Sequence, residues 1–208
     1  MMRSKALLVA ALVAGLSTTA LADPFSFTAT DTPLAIPPSG TSGTTTSTIT
    51  VGTSGIISDL NVFVNLTHTF TGDLEIFLTH VDTGTSVQLF DQHGGGGNNI
   101  TDVTFDDEAG TAISAGTPPF GPGSFMPFAS LTAFDGENVF GTWTLRIDDL
   151  IGGDSGTLQS FSILGAFTPT PIPEPGTYAL FGLGALGLAG LVRRRRKAAA
   201  TPAQDSTS

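Results

Sequence analysis

The 208-residue chain contains no cysteine and has almost no cations between its two ends. Without cysteine, neither a disulfide nor a thiolate zinc site can stabilise the fold. Of the eight Lys and Arg residues, Arg146 is the single one between positions 23 and 172, whereas 16 of the 18 Asp and Glu residues lie there. This segment therefore carries a formal charge of about −15. Nucleic acid is excluded as a partner, because binding to phosphates needs Lys and Arg.

Long apolar segments are confined to the two ends of the chain. Near the N-terminus, Arg3 and Lys5 precede an apolar segment over residues 6–16, and the small residues Ala20 and Ala22 follow. This order is typical of a secretory signal peptide. We therefore expect residues 1–22 to be a signal peptide that the Sec export machinery recognises and that is removed after Ala22. The alternative, an uncleaved anchor helix, is less consistent with the small residues before position 23.

The C-terminal end combines three features in a fixed order. A Pro-Glu-Pro motif, which stops a helix or a paired strand from continuing, is formed by Pro173, Glu174 and Pro175. Residues 177–192 carry no charge, and a helix over them would rise roughly 24 Å, slightly less than the ~30 Å hydrocarbon core of a bilayer. A basic block follows, made of Arg193, Arg194, Arg195, Arg196 and Lys197. Because Lys and Arg favour the cytoplasmic side, we expect a single transmembrane helix at 177–192 and a basic cytoplasmic tail at 193–208.

This arrangement resembles the PEP-CTERM sorting signal of Gram-negative bacteria that make extracellular polysaccharide. The resemblance implies that a membrane-embedded exosortase recognises the Pro-Glu-Pro segment and cleaves the protein near it. It also implies a precursor in the inner membrane whose body is later released, or attached at the cell surface or in the extracellular matrix. The alternative is an ordinary tail anchor, which needs neither the Pro-Glu-Pro motif nor so short a span.

Period-two alternation of apolar and polar residues dominates the segment between the two ends. It occurs at 60–66, 74–78, 87–89, 143–147 and 161–165, and Gly-, Asp- and Pro-rich turns separate these stretches. Such alternation predicts half-buried β-strands, and no stretch of this segment has sustained helical spacing. Residues 23–48 are rich in Pro, Ser, Thr and Gly, with one short strand candidate at 25–29. We therefore predict an all-β fold, most simply a β-sandwich or jelly roll.

A second resemblance rests on ordered sequence blocks: ISDLNVFVNLTHTFTGDLEIFLTH at 57–80, VTFDDEA at 103–109 and GTWTLRIDDLIGGDSGTLQSFSI at 141–163. They resemble the P domain (P/Homo B domain) that follows the catalytic domain in kexin- and furin-like subtilisin-type proteases. The resemblance implies a jelly-roll-like β-sandwich at 36–167, between a lead-in at 23–35 and a Pro-rich linker at 168–176. The Ser-Pro-x-Gly turn often seen in the family is replaced here by HVDTG at 80–84. Because the residues before position 36 leave no room for a subtilisin-type catalytic domain, we expect a P domain without a protease.

Acidic residues in the turns are the candidate metal ligands. Calcium binds six to eight oxygen atoms and favours carboxylates on loops. The P-domain resemblance associates calcium with aspartates, and the positions that fit best are Asp73, Asp107 and Asp149. Further candidates are their neighbours Asp106, Glu108 and Asp148. The alternative is a solvated acidic surface without a fixed ion.

The tetrapeptide Gly153-Asp154-Ser155-Gly156 is also found around the nucleophile of chymotrypsin-like proteases. That chemistry further needs a histidine hydrogen-bonded to the serine, a buried carboxylate that orients the histidine, and an oxyanion hole. The rest of the chymotrypsin pattern is missing from the sequence. We therefore interpret the stretch as a turn before the last strand.

These features together predict an exported, non-catalytic surface or matrix module, stabilised by calcium that bridges its acidic loops to an anionic polysaccharide. One alternative is an accessory module that binds a separate subtilisin-type protease. Another is a carbohydrate-binding module, whose usual sign is an exposed Tyr or Trp. Here Tyr178 lies in the predicted membrane span, and Trp143 occupies a predicted core position.

Overall fold

The computed structural model describes residues 21–37 and 41–169. They form ten strands: β1 (Asp23–Thr28), β2 (Leu34–Ile36), β3 (Gly43–Val51), β4 (Gly55–His68), β5 (Leu74–His80), β6 (Thr85–Asp91), β7 (Ile100–Phe105), β8 (Gly123–Phe125), β9 (Gly141–Asp149) and β10 (Gly156–Pro169). Three short 3₁₀ helices lie at Thr71–Asp73, Ile113–Ala115 and Leu131–Phe134. Within the described ranges, no helix has the length and apolar character needed to cross a membrane. The predicted signal peptide up to Ala20, the Pro-Glu-Pro motif, the predicted span at 177–192 and the basic block lie outside these ranges.

The strands form two sheets. The larger sheet has the order β1-β10-β4-β7-β8, with β2 also paired to β10, and the smaller sheet has the order β3-β9-β5-β6. Neighbouring strands are antiparallel except β7 and β8, which run parallel. The two longest strands, β4 and β10, pair from Gly55–Pro169 to His68–Gly156 and form the centre of the larger sheet. The predicted all-β fold is confirmed, and its architecture is a two-sheet β-sandwich.

The core lies between the sheets and follows the period-two alternation of the sequence. On β4 and β9 the inward-facing apolar side chains are fully buried: Val62, Val64, Leu66, Trp143, Leu145 and Ile147. The same alternation buries Leu74, Ile76 and Leu78 of β5. Burial of one such side chain contributes about 1.5–3 kcal/mol to stability, so these strands are ordered mainly by the core that they share.

The N-terminal part of the chain contains more strand than the composition of residues 23–48 indicates. The six residues of β1 pair with β10 from Asp23–Phe167 to Thr28–Ser162, and β3 begins at Gly43 within a threonine-rich stretch. Two inward-facing hydroxyls of β3 are satisfied locally: Thr45 Oγ1 donates to the Ala35 carbonyl at 2.7 Å, and Ser47 Oγ donates to Asp31 at 2.6 Å. Because these hydroxyls have partners, a Thr- and Ser-rich strand can be buried on one face without an unpaired polar group.

Candidate functional site

Four acidic residues line one small cavity at an end of the sandwich. Asp59 comes from β4, Asp107 and Glu108 follow β7, and Asp135 follows the 3₁₀ helix Leu131–Phe134. The cavity has a volume of about 20 Å³. That volume holds one water-sized sphere. We call these four residues and the space between them the acidic pocket.

Asp107 is held in place by neighbouring donors. Its Oδ2 atom accepts hydrogen bonds from Ser130 Oγ at 2.6 Å and from the backbone N–H of Thr132 at 3.0 Å. Beside it, the backbone N–H of Glu108 donates to Asp106 Oδ1 at 2.8 Å. The loop after β7 is therefore ordered by its own carboxylates, which directs Asp107 into the pocket while Asp106 supports the turn.

The pKa values of three carboxyl groups in the acidic pocket are raised. Burial raises the pKa of Asp59, and the nearby carboxylates of Asp106, Asp135 and Asp107 raise it further. Burial likewise raises the pKa of Asp135, with a further contribution from Asp107. The pKa of Glu108 is raised first by a hydrogen bond with the Asp106 carboxyl group and then by burial. Like charges that face one cavity disfavour ionisation, and a divalent cation between them would reverse that effect.

The pocket does not present a closed set of ligands. In the described part of the chain, no three His, Asp or Glu side chains converge as they would around a bound metal ion. Calcium is compatible with such an arrangement because backbone carbonyls and water complete its six to eight oxygens in flexible geometry. The donor set is chemically suited to calcium, since all four side chains offer carboxylate oxygens and none offers nitrogen or sulfur.

The structure separates the predicted metal ligands into two groups. Asp107 lies beside Asp59 near the start of β4, whereas Asp73 and Asp149 lie beside His68 at its end, nine positions or roughly 30 Å away along the strand. Asp148 points to the opposite face of β9 from Asp149. There it accepts from Thr44 Oγ1 at 2.7 Å, and its Oδ2 lies 3.4 Å from Arg146 Nε.

At the far end of β4, Asp149 forms a buried pair with His68. The His68 Nε2 atom lies 3.2 Å from Asp149 Oδ2, and both side chains are fully buried. The other oxygen, Oδ1, accepts from the backbone N–H of Ile151 at 3.2 Å. Both carboxylate oxygens of Asp149 therefore already have protein donors. Asp73 lies close by, and burial raises its pKa, as do Asp149 and Asp154, while His68 opposes them.

A second buried histidine lies at the same end as the acidic pocket. His80 Nδ1 is 2.8 Å from Glu137 Oε2, its Nε2 is 3.2 Å from the Phe140 carbonyl, and its ring stacks on Trp143 at 4.2 Å. Burial alone would raise the pKa of Glu137, but hydrogen bonds from Thr85, His80 and Thr83 and the charge of His80 outweigh it and hold that pKa below its usual value. This cluster anchors the segment that also carries Asp135.

Sequence reasoning missed Asp59, Asp135 and the His80–Glu137 pair. Asp59 sits at an outward position of the alternating β4 pattern, and Asp135 precedes Gly136 in a turn after the 3₁₀ helix. Each has an ordinary local explanation, as a polar position of a strand or a turn residue. Asp135 lies near Asp59 because the backbone of Ile57 on β4 accepts from the Gly136 N–H and donates to the Glu137 carbonyl.

Residues 153–155 form a turn before β10, which begins at Gly156, as expected. Thr69 Oγ1 donates to Asp154 Oδ1 at 2.8 Å and accepts from the backbone N–H of Ser155 at 3.2 Å. The ring nitrogens of His68 face the Phe70 backbone and Asp149. Among the residues that the structure describes, no histidine hydrogen-bonds to Ser155.

The described residues thus form a two-sheet β-sandwich whose acidic loops line a small pocket. Comparison with family models gives the proprotein convertase P-domain over residues 57–164 and the PEP-CTERM protein-sorting motif over residues 171–197. The first match spans more than half of the chain, so the chain belongs to the proprotein convertase P-domain family. Both resemblances inferred from the sequence are thereby confirmed.

Solved structures that resemble the chain include the serine protease of Aeromonas sobria, alone and in complex with the chaperone ORF2. The complex has a TM-score of 0.41 and the protease alone 0.40, each with 17% sequence identity over 71% of this chain. The chain spans 28% of the length of either matched structure. Curated proteins give no match.

Export of the protein is inferred from the sorting motif. It covers Pro173 to Pro175 and the basic block from Arg193 to Lys197. A protein with this motif is exported and processed by an exosortase, from a membrane-anchored precursor in a Gram-negative bacterium. The P domain, in turn, resembles the non-catalytic accessory domain of proteases.

Proposed function

We propose that the chain is a non-catalytic module of the cell surface or extracellular matrix, stabilised by calcium bound in the acidic pocket. The observation that supports this proposal is the pocket itself, a cavity of about 20 Å³ that is lined by four carboxyl-bearing residues from three separate parts of the chain. A module with one cation and 16 carboxylates between positions 23 and 172 has few other ways to offset its own repulsion.

The residues that would hold calcium are Asp59, Asp107 and Asp135, with Glu108 at the rim. Asp107 is already oriented by Ser130 and Thr132. Burial and, after it, nearby carboxylates raise the pKa values of Asp59 and Asp135, and a cation would offset the repulsion between the carboxylates. The ion would join β4, the loop after β7 and the segment after the last 3₁₀ helix. It would thus replace the covalent bridge that a chain without cysteine lacks.

A surface-bound calcium ion also supports the proposed contact with an anionic polysaccharide. The body alone would repel such a polymer, because its charge has the same sign. Calcium that keeps part of its coordination open can accept a carboxylate of the polymer and bridge the two. We therefore propose matrix attachment through calcium as the role of the exported body.

Thermal unfolding of the full chain in millimolar calcium and in EDTA tests the calcium site. Calcium at 100 times its dissociation constant should stabilise the fold by about 2.7 kcal/mol, which corresponds to a Tm increase of about 5–11 °C for a chain of this size. Asp107→Asn should abolish the increase while keeping an acceptor for Ser130 and Thr132. Asp91→Asn removes a carboxylate on β6, outside the pocket, and should leave the Tm increase unchanged. Equal responses of the two variants would contradict the proposed site.

The matrix role is tested in the cell. Deletion of the protein should alter the texture of the biofilm and leave extracellular proteolysis unchanged. Replacement of Pro173-Glu174-Pro175 by alanines should retain the protein in the membrane fraction, because the exosortase would no longer recognise it.

Membership of the P-domain family favours one alternative function, accessory binding to a separate subtilisin-type protease. In that case the protease should co-purify with the tagged chain and lose thermal stability when the chain is deleted. Reduced proteolysis after deletion would support this alternative over the matrix role.

A further inference from the structure

A cleft of about 360 Å³ runs between the edge strands of the two sheets, away from the acidic pocket. Strand β1 is the edge of the larger sheet and β3 is the edge of the smaller one. The cleft is lined by Ser26, Phe27, Thr28, Thr30, Thr48, Ile49 and Thr50. Its volume falls within the range of small-ligand sites in proteins.

The walls of the cleft offer free hydroxyl groups. Thr28 Oγ1 is paired with Ser162 Oγ at 2.8 Å. The hydroxyls of Ser26, Thr30, Thr48 and Thr50 make no hydrogen bond to another described residue. Each can both donate and accept, so the cleft presents several two-way hydrogen-bonding groups to a ligand.

The strand edges add backbone groups to the same cleft. The Ala29 N–H donates to the Phe161 carbonyl on β10, and the Thr48 N–H turns away from β9 to bond Asp31. Because backbone groups alternate sides along an antiparallel strand, those of Ser26 and Thr28 on β1, and of Thr50 on β3, also face the edge rather than their paired strand.

The floor of the cleft is apolar. Phe27 is half-buried and stacks on Phe25, with ring centroids 5.6 Å apart, and Ile49 is 4% exposed. An aromatic ring surrounded by hydroxyls matches a sugar ring, which presents an apolar C–H face and a rim of hydroxyl groups.

Charge distinguishes this cleft from the rest of the surface. None of the seven lining residues is charged, although the segment 23–172 carries 16 carboxylates; one of these, Asp31, is occupied by the Thr48 N–H and Ser47 Oγ beside the cleft. A neutral ligand is therefore accommodated without repulsion, whereas an anionic sugar would find no cation there. We infer that the cleft between β1 and β3 binds a neutral sugar unit of a polysaccharide. This inference rests on the proposed surface or matrix role, because a module in that location would encounter polysaccharides.

Two neighbouring edge strands could instead bind a β-strand from a second protein, which would extend one of the sheets. The structure disfavours it, because Asp31 caps the edge of β3. The Asp31 carboxylate accepts from the Thr48 N–H at 2.8 Å and from Ser47 Oγ at 2.6 Å. Asp31 lies between β1 and β2, and a charged side chain that covers the edge of a strand hinders strand addition.

Titration of the full chain with neutral hexasaccharides of glucose, mannose and galactose tests the inference, with an alginate oligomer as the anionic comparison. Saturation-transfer NMR detects binding and calorimetry measures it. We expect at least one neutral sugar to bind, with no dependence on salt between 50 and 500 mM. The variant Ser26→Ala/Thr50→Val should weaken binding about tenfold, because two hydrogen bonds are lost. Thr46→Val, an exposed threonine of the same strand outside the cleft, should leave it unchanged.

The titrations are run in calcium and in EDTA, so that sugar binding and calcium binding are measured separately. Sugar binding that persists without any calcium shift would leave this inference intact and overturn the calcium site. Failure of all three neutral sugars to bind would overturn the inference. Salt-dependent binding of alginate alone, or dimerisation that the cleft variant abolishes, would also overturn it.

Discussion

Replacement of Asp149 by alanine should destabilise the sandwich through His68 and not through calcium. Asp149 and His68 form a fully buried pair, with 3.2 Å between Oδ2 and Nε2. Removing one partner of such a pair typically costs about 3–5 kcal/mol. The change also takes away the acceptor of the Ile151 N–H. For a chain of this size, the loss corresponds to a Tm decrease of about 6–20 °C.

The assay is thermal unfolding of the full chain, followed by circular dichroism and by the fluorescence of Trp143, the single tryptophan. The decrease for Asp149→Ala should be equal in calcium and in EDTA, because both carboxylate oxygens already accept from protein donors. Asp107→Ala is the contrasting variant, and its cost should be larger in calcium than in EDTA. A double replacement of His68 and Asp149 by leucine should cost less than the sum of the single changes, since no buried group is left unpaired.

Two results would refute this reasoning. A Tm decrease for Asp149→Ala below about 2 °C, equivalent to less than about 1 kcal/mol, would show that the pair contributes little to stability. A decrease seen only in calcium would show that Asp149 is a metal ligand, as the P-domain resemblance implies. The calcium-binding end of the sandwich would then be the one that contains Asp73.

Two further predictions concern the opposite end of the sandwich and the central strand pair. The pKa of Glu137 lies below its ordinary value of 4.5 in the folded state. Its stabilising contribution is therefore present above pH 4.5 and lost as the pH falls through the lower folded pKa. Glu137→Gln should be less stable than the wild type at pH 7 in urea unfolding and equal to it in acid; a constant difference at all pH values would contradict this. Gly156→Ala should disrupt the pairing of β4 with β10, because the added Cβ would lie 1.9 Å from the Thr67 carbonyl oxygen. Gly110→Ala, where nothing lies within 4 Å, is the matched control, and equal Tm values for both variants would contradict the close approach.

Local patterns were sufficient for the strands that bury apolar residues on one face. The alternation at 60–66 and 143–147 predicts two strands of the core, and Val62, Val64, Leu145 and Ile147 are fully buried as expected. Trp143 is buried at the predicted core position and donates to the Val139 carbonyl at 2.9 Å. These predictions succeed because the period of two and the burial of one face are properties of a single strand.

Strand β3 shows where local patterns were insufficient. Its first half, Gly43 to Thr46, contains no large apolar residue, so its hydrophobicity does not mark it as a strand. It is ordered by β9, which pairs with it from Gly43–Asp149 to Val51–Gly141. Threonine favours strands through its branched Cβ, but a Thr-rich stretch becomes a strand only when a partner provides the ladder.

For the candidate sites, too, local patterns predicted some features and only the tertiary structure decided others. Sequence motifs were sufficient to identify the sorting signal and the P domain, because each is a contiguous or ordered pattern of residues. They also pointed to Asp107 as an acidic loop residue. The tertiary structure alone decided that Asp107 faces Asp59 and Asp135, that Asp149 faces His68, and that β1 and β3 enclose an uncharged cleft. These contacts join residues far apart in the chain, and their geometry depends on the register of the strands between them, which no local pattern of residues encodes.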